Sequence, residues 1–173
     1  TATAAEVLAN KNARAAISMI IDKQAYCDVI LNNGSIPTST FTPRGLAFDN
    51  GKDYTDLTEG MGYEYNEEQA KELWEKAKEE VGFDTVEIKL LTYDHDLGKR
   101  TGEYIQSELS DLEGLTVKVS NLPFKQKLEK ETKGEFDLAF SGWGADYPDP
   151  LTYLATMQTG NQFANQTGYK SDE

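Results

Sequence analysis

Apolar residues return at helical spacing along the first part of the chain. Ala13, Ala16, Ile17, Ile20 and Ile21 recur three and four residues apart and form one stripe. Asp22 is placed to cap a second helix carrying Tyr26, Val29 and Ile30, and Gly34 is placed to stop it. From Ser35 to Tyr65 the periodicity vanishes. Ser, Thr, Pro, Gly and Asp dominate there, which predicts a long surface loop over 35–65, stiffened by Pro37 and Pro43. Helical spacing resumes at Ala70, Leu73, Trp74, Ala77 and Val81. Asn66 is the expected cap, Gln69 its reciprocal partner and Gly82 the stop.

Beyond Gly82 two kinds of segment alternate. "VEIKLLT" (86–92) reads as a strand, and "GKRTGEYIQSELSDLEG" as a helix with Ile105, Leu109 and Leu112 inward. "LTVKVSN" is a second strand with Leu115, Val117 and Val119 on one face. Leu122–Pro123 opens another helix, with Pro123 at its first position and Phe124 and Leu128 inward. "FDLAFSG" is a third strand. Asp149 and Pro150 then read as cap and first residue of a last helix, with Leu151, Leu154 and Met157 as its apolar side. Crossovers of this length imply parallel strands with right-handed connections. The fold class is therefore α/β, with a mainly parallel sheet flanked by helices. Such sheets take ligands beyond the carboxyl ends of their strands. Two loops fall there: "YDHDLG" and "GWGADYPDP".

Length and charge narrow the function classes. A chain of 173 residues suits one domain, or one lobe of something larger. A formal charge of −13 repels phosphate backbones and anionic lipid, so neither nucleic acid nor a membrane surface is an expected partner. Cationic or neutral ligands fit that balance, and so does plain solubility. Cys27 is the only cysteine, which excludes an intramolecular disulfide and any CxxC motif. No run of 18 apolar residues exists to span a membrane. No basic stretch precedes an apolar one, so a secretory signal is not expected within these residues.

"GWGADY" lacks the features of a phosphate loop. Tyr147 stands where a third glycine belongs, no GK[ST] follows, and Asp146 repels phosphate. The same carboxylate suits an ammonium group. Gly142 and Gly144 let a ligand backbone approach closely, and Trp143 offers a flat apolar face. A tight turn with a solvated aspartate remains the plain alternative. His95, the single histidine, lies between Asp94 and Asp96; neighbours in an extended loop point apart, so no metal site is expected. A carboxylate pair of Asp94 and Asp146 leaves glycoside-type hydrolysis open. No cofactor is expected, and no G-x-S-x-G nucleophile motif is present.

Read together, several segments resemble one family. "ARAAISMIIDKQAYCDVIL" is similar to its pattern R-x-A-[IL]-x-x-[AI]-I-D-[RK] through Arg14, Ala16, Ile17, Ile21, Asp22 and Lys23. "GSIPTSTFTPRG" is similar to its next loop. "FDLAFSGWGADYPDPLTYL" resembles its most distinctive motif through Phe136, Asp137, Trp143, Asp146, Asp149, Pro150 and Leu154, and "NQTGYKSDE" a later segment. The family is the extracytoplasmic solute-binding proteins of peptide ABC importers, the family 5 oligopeptide-binding type. The resemblance covers essentially the whole chain. It implies a type II periplasmic-binding-protein-like fold of two lobes with a mixed, mainly parallel sheet, of which residues 1–173 would be the second lobe alone, a single excised domain with "TATAA" as partial linker.

Further expectations follow from the resemblance. The chain would not be an enzyme. Peptide would lie extended between this lobe and the missing first one. Asp146 would pair with its α-ammonium, while Gly142, Trp143 and Gly144 would meet its main chain. Phe140 and Ser141 stand where some relatives carry a basic residue for a ligand carboxylate, so that contact is not expected from this lobe. The whole receptor would be a monomer serving the permease subunits of an ABC importer, lipid-anchored on a Gram-positive cell or free in a Gram-negative periplasm. Other cargo of the same importer class stays open: a pheromone peptide, nickel, haem or an oligosaccharide.

Overall fold

The computed structural model of the chain describes residues 1–170; the last three residues of "NQTGYKSDE" lie outside them. The opening residues are not linker. Thr3 and Glu6 form a reciprocal capping box at the start of α1 (Ala4–Ala9). Asn10 then caps α2 (Lys11–Ile20), its Oδ1 accepting from the amides of Asn12 and Ala13 at 2.8 and 3.1 Å.

Asp22 caps the short α3 (Lys23–Ala25) by accepting the Ala25 amide at 2.9 Å. The chain continues as wider π-helical turns over Tyr26–Leu31, closed by an Asn32 amide to Cys27 carbonyl bond of 2.9 Å. This overturns two expectations. Asn32, left-handed at φ 44°, ends the helix before Gly34 is reached. The wider turn also brings Cys27 inward and leaves Val29 68% exposed.

Within 35–65, β1 (Phe48–Asp49) and β2 (Lys52–Asp53) form a small antiparallel hairpin. Asn50 and Gly51 make its turn with φ 49° and 79°, the left-handed pair such a turn requires. Asp53 accepts from the Thr55 and Gly45 amides at 2.9 and 2.6 Å and caps a 3₁₀ turn over Tyr54–Leu57.

Helix α4 (Glu67–Val81) starts at Asn66, whose Oδ1 accepts the Gln69 amide at 3.0 Å, and ends at a left-handed Gly82. The reciprocal Gln69 bond is replaced by a tether to α2: the Asn66 amide donates to the Met19 carbonyl at 2.9 Å. Ala70, Trp74 and Ala77 join Ala13, Ala16, Ile17 and Ile20 in one core. Trp74 sets its indole N–H on the Glu113 carbonyl at 2.9 Å.

The sheet follows from β3 (Val86–Tyr93), α5 (Asp96–Leu109), β4 (Leu115–Leu122), α6 (Phe124–Lys133) and β5 (Leu138–Ala139). β3 lies between β4 and β5, and both pairings are parallel. Val86 pairs with Leu115 and Tyr93 with Leu122, so β3 and β4 end level. β5 holds only Leu138 and Ala139 against Leu90 and Leu91, supplemented by the Asp137 carboxylate accepting the Lys89 amide at 2.7 Å. β4 is an edge strand. On its outer side the Leu115 amide donates to Leu112 at 3.1 Å, and the Val117 carbonyl accepts from Gln106 Nε2 at 2.7 Å. The α/β class and mainly parallel strands are as expected; the antiparallel pair is the separate hairpin.

Several assignments on the later helices are overturned. Pro123 takes the cap position of α6 rather than its first helical position, so the helix begins at Phe124, one residue later than expected. Phe124 and Leu128 are 62% and 41% exposed, while Lys127 and Glu131 are buried. After α7 (Leu151–Leu154), a 3₁₀ turn (Ala155–Met157) leads to a further helix, α8 (Gln162–Thr167). Leu151 and Leu154 are exposed and Thr152 and Thr156 buried, because α7 covers the polar backbone of the preceding loop instead of an apolar face.

Candidate functional site

The carboxyl ends of the strands carry Tyr93 on β3, the start of α6 after β4, and Phe140–Ser141 after β5. Tyr93 organises this edge. It stacks on His95 at 5.2 Å and on Phe124 at 6.2 Å, and meets Phe140 edge-on at 6.3 Å. His95 caps α5, its Nδ1 accepting the Gly98 amide at 3.0 Å. The helix must come close here. A Cβ on Gly98 would lie 2.4 Å from the Tyr93 carbonyl oxygen.

The loop over 141–150 is held from below by Thr152, which is 4% exposed. Its carbonyl accepts the Trp143 indole N–H at 3.0 Å, and its hydroxyl accepts the Asp146 amide at 3.0 Å. Trp143 meets the Phe163 ring edge-on at 5.3 Å and keeps 44% of its surface exposed. Gly142 and Gly144 have open space where a side chain would stand, with no atom within 4 Å. Asp149 accepts the Leu151 amide at 2.8 Å, but the cap position of α7 falls on Pro150 and the helix begins at Leu151, one residue later than expected. The Asp146 carboxylate points from this frame with no cationic or hydrogen-bonding partner among the described residues.

These side chains border a cleft of about 570 Å³, walled by Tyr93, Phe124, Leu128, Trp143 and Phe163 with Asp146 at its margin. The four residues singled out by sequence converge on the loop beside it; Asp94 is exposed and does not border it. A larger hollow of about 1060 Å³ lies under the 35–65 segment, between Lys23, Arg44 and Glu64. Burial pulls the Lys23 ammonium below its ordinary pKa there, against the opposing pull of Glu64 and Asp22. None of the residues singled out for chemistry borders it, so the smaller cleft is the candidate site.

Sequence reasoning missed the support beneath the loop. Lys127 and Glu131, one turn apart on α6, form a buried ion pair that also engages Ser141. The Lys127 Nζ sits 4.5 Å from the Tyr93 ring centroid. A Lys-x-x-x-Glu spacing was the available signal, but it is usual on solvated faces. Among the described residues no cluster of His, Cys, Asp and Glu could hold a metal, and no helix is long and apolar enough to cross a membrane.

A profile of the bacterial extracellular solute-binding proteins, family 5 Middle, matches residues 2–165. The dipeptide-binding protein of Lactococcus lactis subsp. cremoris is 32% identical over 163 residues, 92% of this chain and 29% of that protein. The substrate-binding domain of an oligopeptide ABC transporter from Bacillus anthracis superposes with a TM-score of 0.90 at 38% identity, over 96% of this chain and 32% of its own. OppA of Listeria monocytogenes, solved bound to peptide, gives 0.88 at 38% identity, over 93% and 32%. The chain thus spans about a third of the length of the relatives it matches.

Proposed function

The chain belongs to the bacterial extracellular solute-binding proteins of family 5, and on that premise we propose that it is the ligand-binding second lobe of an oligopeptide receptor. The whole receptor captures an extracellular peptide between two lobes and delivers it to an ABC importer. The observation that carries this reading is the Asp146 carboxylate, unpartnered among the described residues and fixed by Thr152 at the edge of an apolar cleft. An extended peptide sets its α-ammonium on that carboxylate in a charge-assisted bond. Gly142 and Gly144 leave room for its main chain, and Trp143 supplies a flat wall. Main-chain recognition is common to all peptides and leaves side-chain choice broad. No catalytic step is assigned to any residue.

Several finer statements belong to the same proposal. The receptor works as a monomer, closing its lobes about the ligand and docking on the permease subunits of its importer. Exposed Ile36, Phe48 and Met61 in the 35–65 segment support contact with the rest of a longer protein. The receptor is extracytoplasmic, lipid-anchored on a Gram-positive cell surface or free in a Gram-negative periplasm. Fractionation of cells carrying the full-length receptor, with and without its lipid attachment, tests the anchor.

The test of the ligand site is Asp146→Ala in the full-length receptor. Stranding a desolvated ammonium costs about 2–5 kcal/mol of peptide affinity. N-acetylated peptide binds the wild type poorly for the same reason. Equal affinity of the mutant and wild type for a free-amine peptide refutes the assignment.

A further inference from the structure

Beneath the cleft lies a charge pair with no evident use. The Lys127 side chain is fully buried and that of Glu131 is 7% exposed. Lys127 Nζ donates to Glu131 Oε1 and, at 2.7 Å, to Ser141 Oγ. Ser141 Oγ in turn donates to the same Glu131 oxygen at 2.7 Å, closing a triangle. The Tyr93 ring face takes the remaining side of the ammonium at 4.5 Å. A buried pair of this kind contributes little net stability, because desolvation of both ions offsets their attraction. An apolar pair would have served the core as well. What the triangle does is tie one residue of another element, and that residue opens the loop bearing Gly142, Trp143, Gly144 and Asp146.

We propose that the Lys127–Glu131 pair is a positioning device for the binding loop, acting through Ser141. The loop is then clamped at two points: Ser141 fastens its start to α6, and Thr152 fastens Trp143 and Asp146 further on. Tyr93, which borders the cleft, is fixed by the same ammonium, so one buried cation sets both the loop and an adjoining wall. This rests on the peptide-receptor reading for its consequence in binding, but not for its consequence in loop order.

Replacing Lys127 alone leaves a buried uncompensated carboxylate and invites unfolding. The test therefore uses the double variant Lys127→Met/Glu131→Leu together with Ser141→Ala, which keeps the ion pair. Two readouts are taken: hydrogen exchange of the 142–146 amides in this chain, and peptide affinity of the full-length receptor. Both variants keep a cooperative thermal transition, exchange the loop amides faster, and weaken peptide binding about tenfold, the equivalent of one lost charge-assisted bond. Ser141→Thr, which retains the hydroxyl, restores both. Wild-type exchange and wild-type affinity in the folded variants overturn the proposal. A wild-type receptor that binds no peptide overturns the functional reading instead, and loop exchange alone then decides the positioning role.

Discussion

The Thr152 hydroxyl accepts the backbone amide of Asp146 at 3.0 Å, from a side chain almost wholly out of solvent. Substitution by valine keeps the shape and removes the acceptor. A buried N–H left without a partner costs about 1–3 kcal/mol. Thr152→Val is therefore expected to lower the unfolding midpoint, and to weaken peptide binding by the full-length receptor because Asp146 loses its fixed backbone. Thermal melting and titration calorimetry read the two effects; a variant unchanged in both removes Thr152 from the account.

A lobe on its own offers half of the contacts to a peptide enclosed between two. The isolated 173-residue chain is expected to unfold in one cooperative transition around its single core and to show no measurable peptide affinity. Micromolar binding by calorimetry would contradict the two-lobe mechanism.

Asp53 carries a pH dependence whose sign is fixed by its partners. The hydroxyl and amide of Thr55, with the Gly45 amide and Arg44 adding less, favour the charged carboxylate and hold its pKa below the ordinary value, against a weaker opposing effect of burial. A depressed folded pKa stabilises the native state above the unfolded pKa of about 3.9. That contribution fades as pH falls through the lower folded value. Urea unfolding of wild type and Asp53→Asn should therefore differ most near neutrality and converge in strong acid. A gap that widens on acidification contradicts this assignment.

Gly98 lets α5 meet the end of β3. A methyl group there would stand 2.4 Å from the Tyr93 carbonyl, a backbone atom with little freedom to retreat. Gly98→Ala should cost about 1–3 kcal/mol, in line with other overpacked contacts. It should also disturb the stacking of His95 on Tyr93, which the histidine ring proton shifts would report. Wild-type stability would show that α5 can shift without loss.

Legibility in the sequence followed the source of each residue's role. β3 and α4 could be read because burial alone dictates them: alternating apolar and charged positions leading into Leu90 and Leu91 in one, a 3.6-residue stripe ended by Gly82 in the other. Asp146 stood out through its charge and its place after a parallel strand. Phe124 and Leu128 misled because apolar residues are expected inside; here they border the cleft, and Lys127 takes the inward position with its charge matched by Glu131 and Ser141. Neither partner can be inferred from Lys127 itself. Thr152 was illegible for the same reason, since its acceptors matter only once the loop has folded over it. The Asn50–Gly51 turn was legible in principle, a two-residue hairpin signal lost within a stretch rich in other turn formers.

The outer rim of β4 has a consequence for solubility. An eight-residue edge strand is a template on which another chain can add by backbone pairing. That template is interrupted here from within: Leu112 occupies the Leu115 amide and Gln106 the Val117 carbonyl. Over Leu115–Val117 an incoming strand meets no unbroken row of donors and acceptors, and the Gln106 side chain is one of the groups that interrupts it.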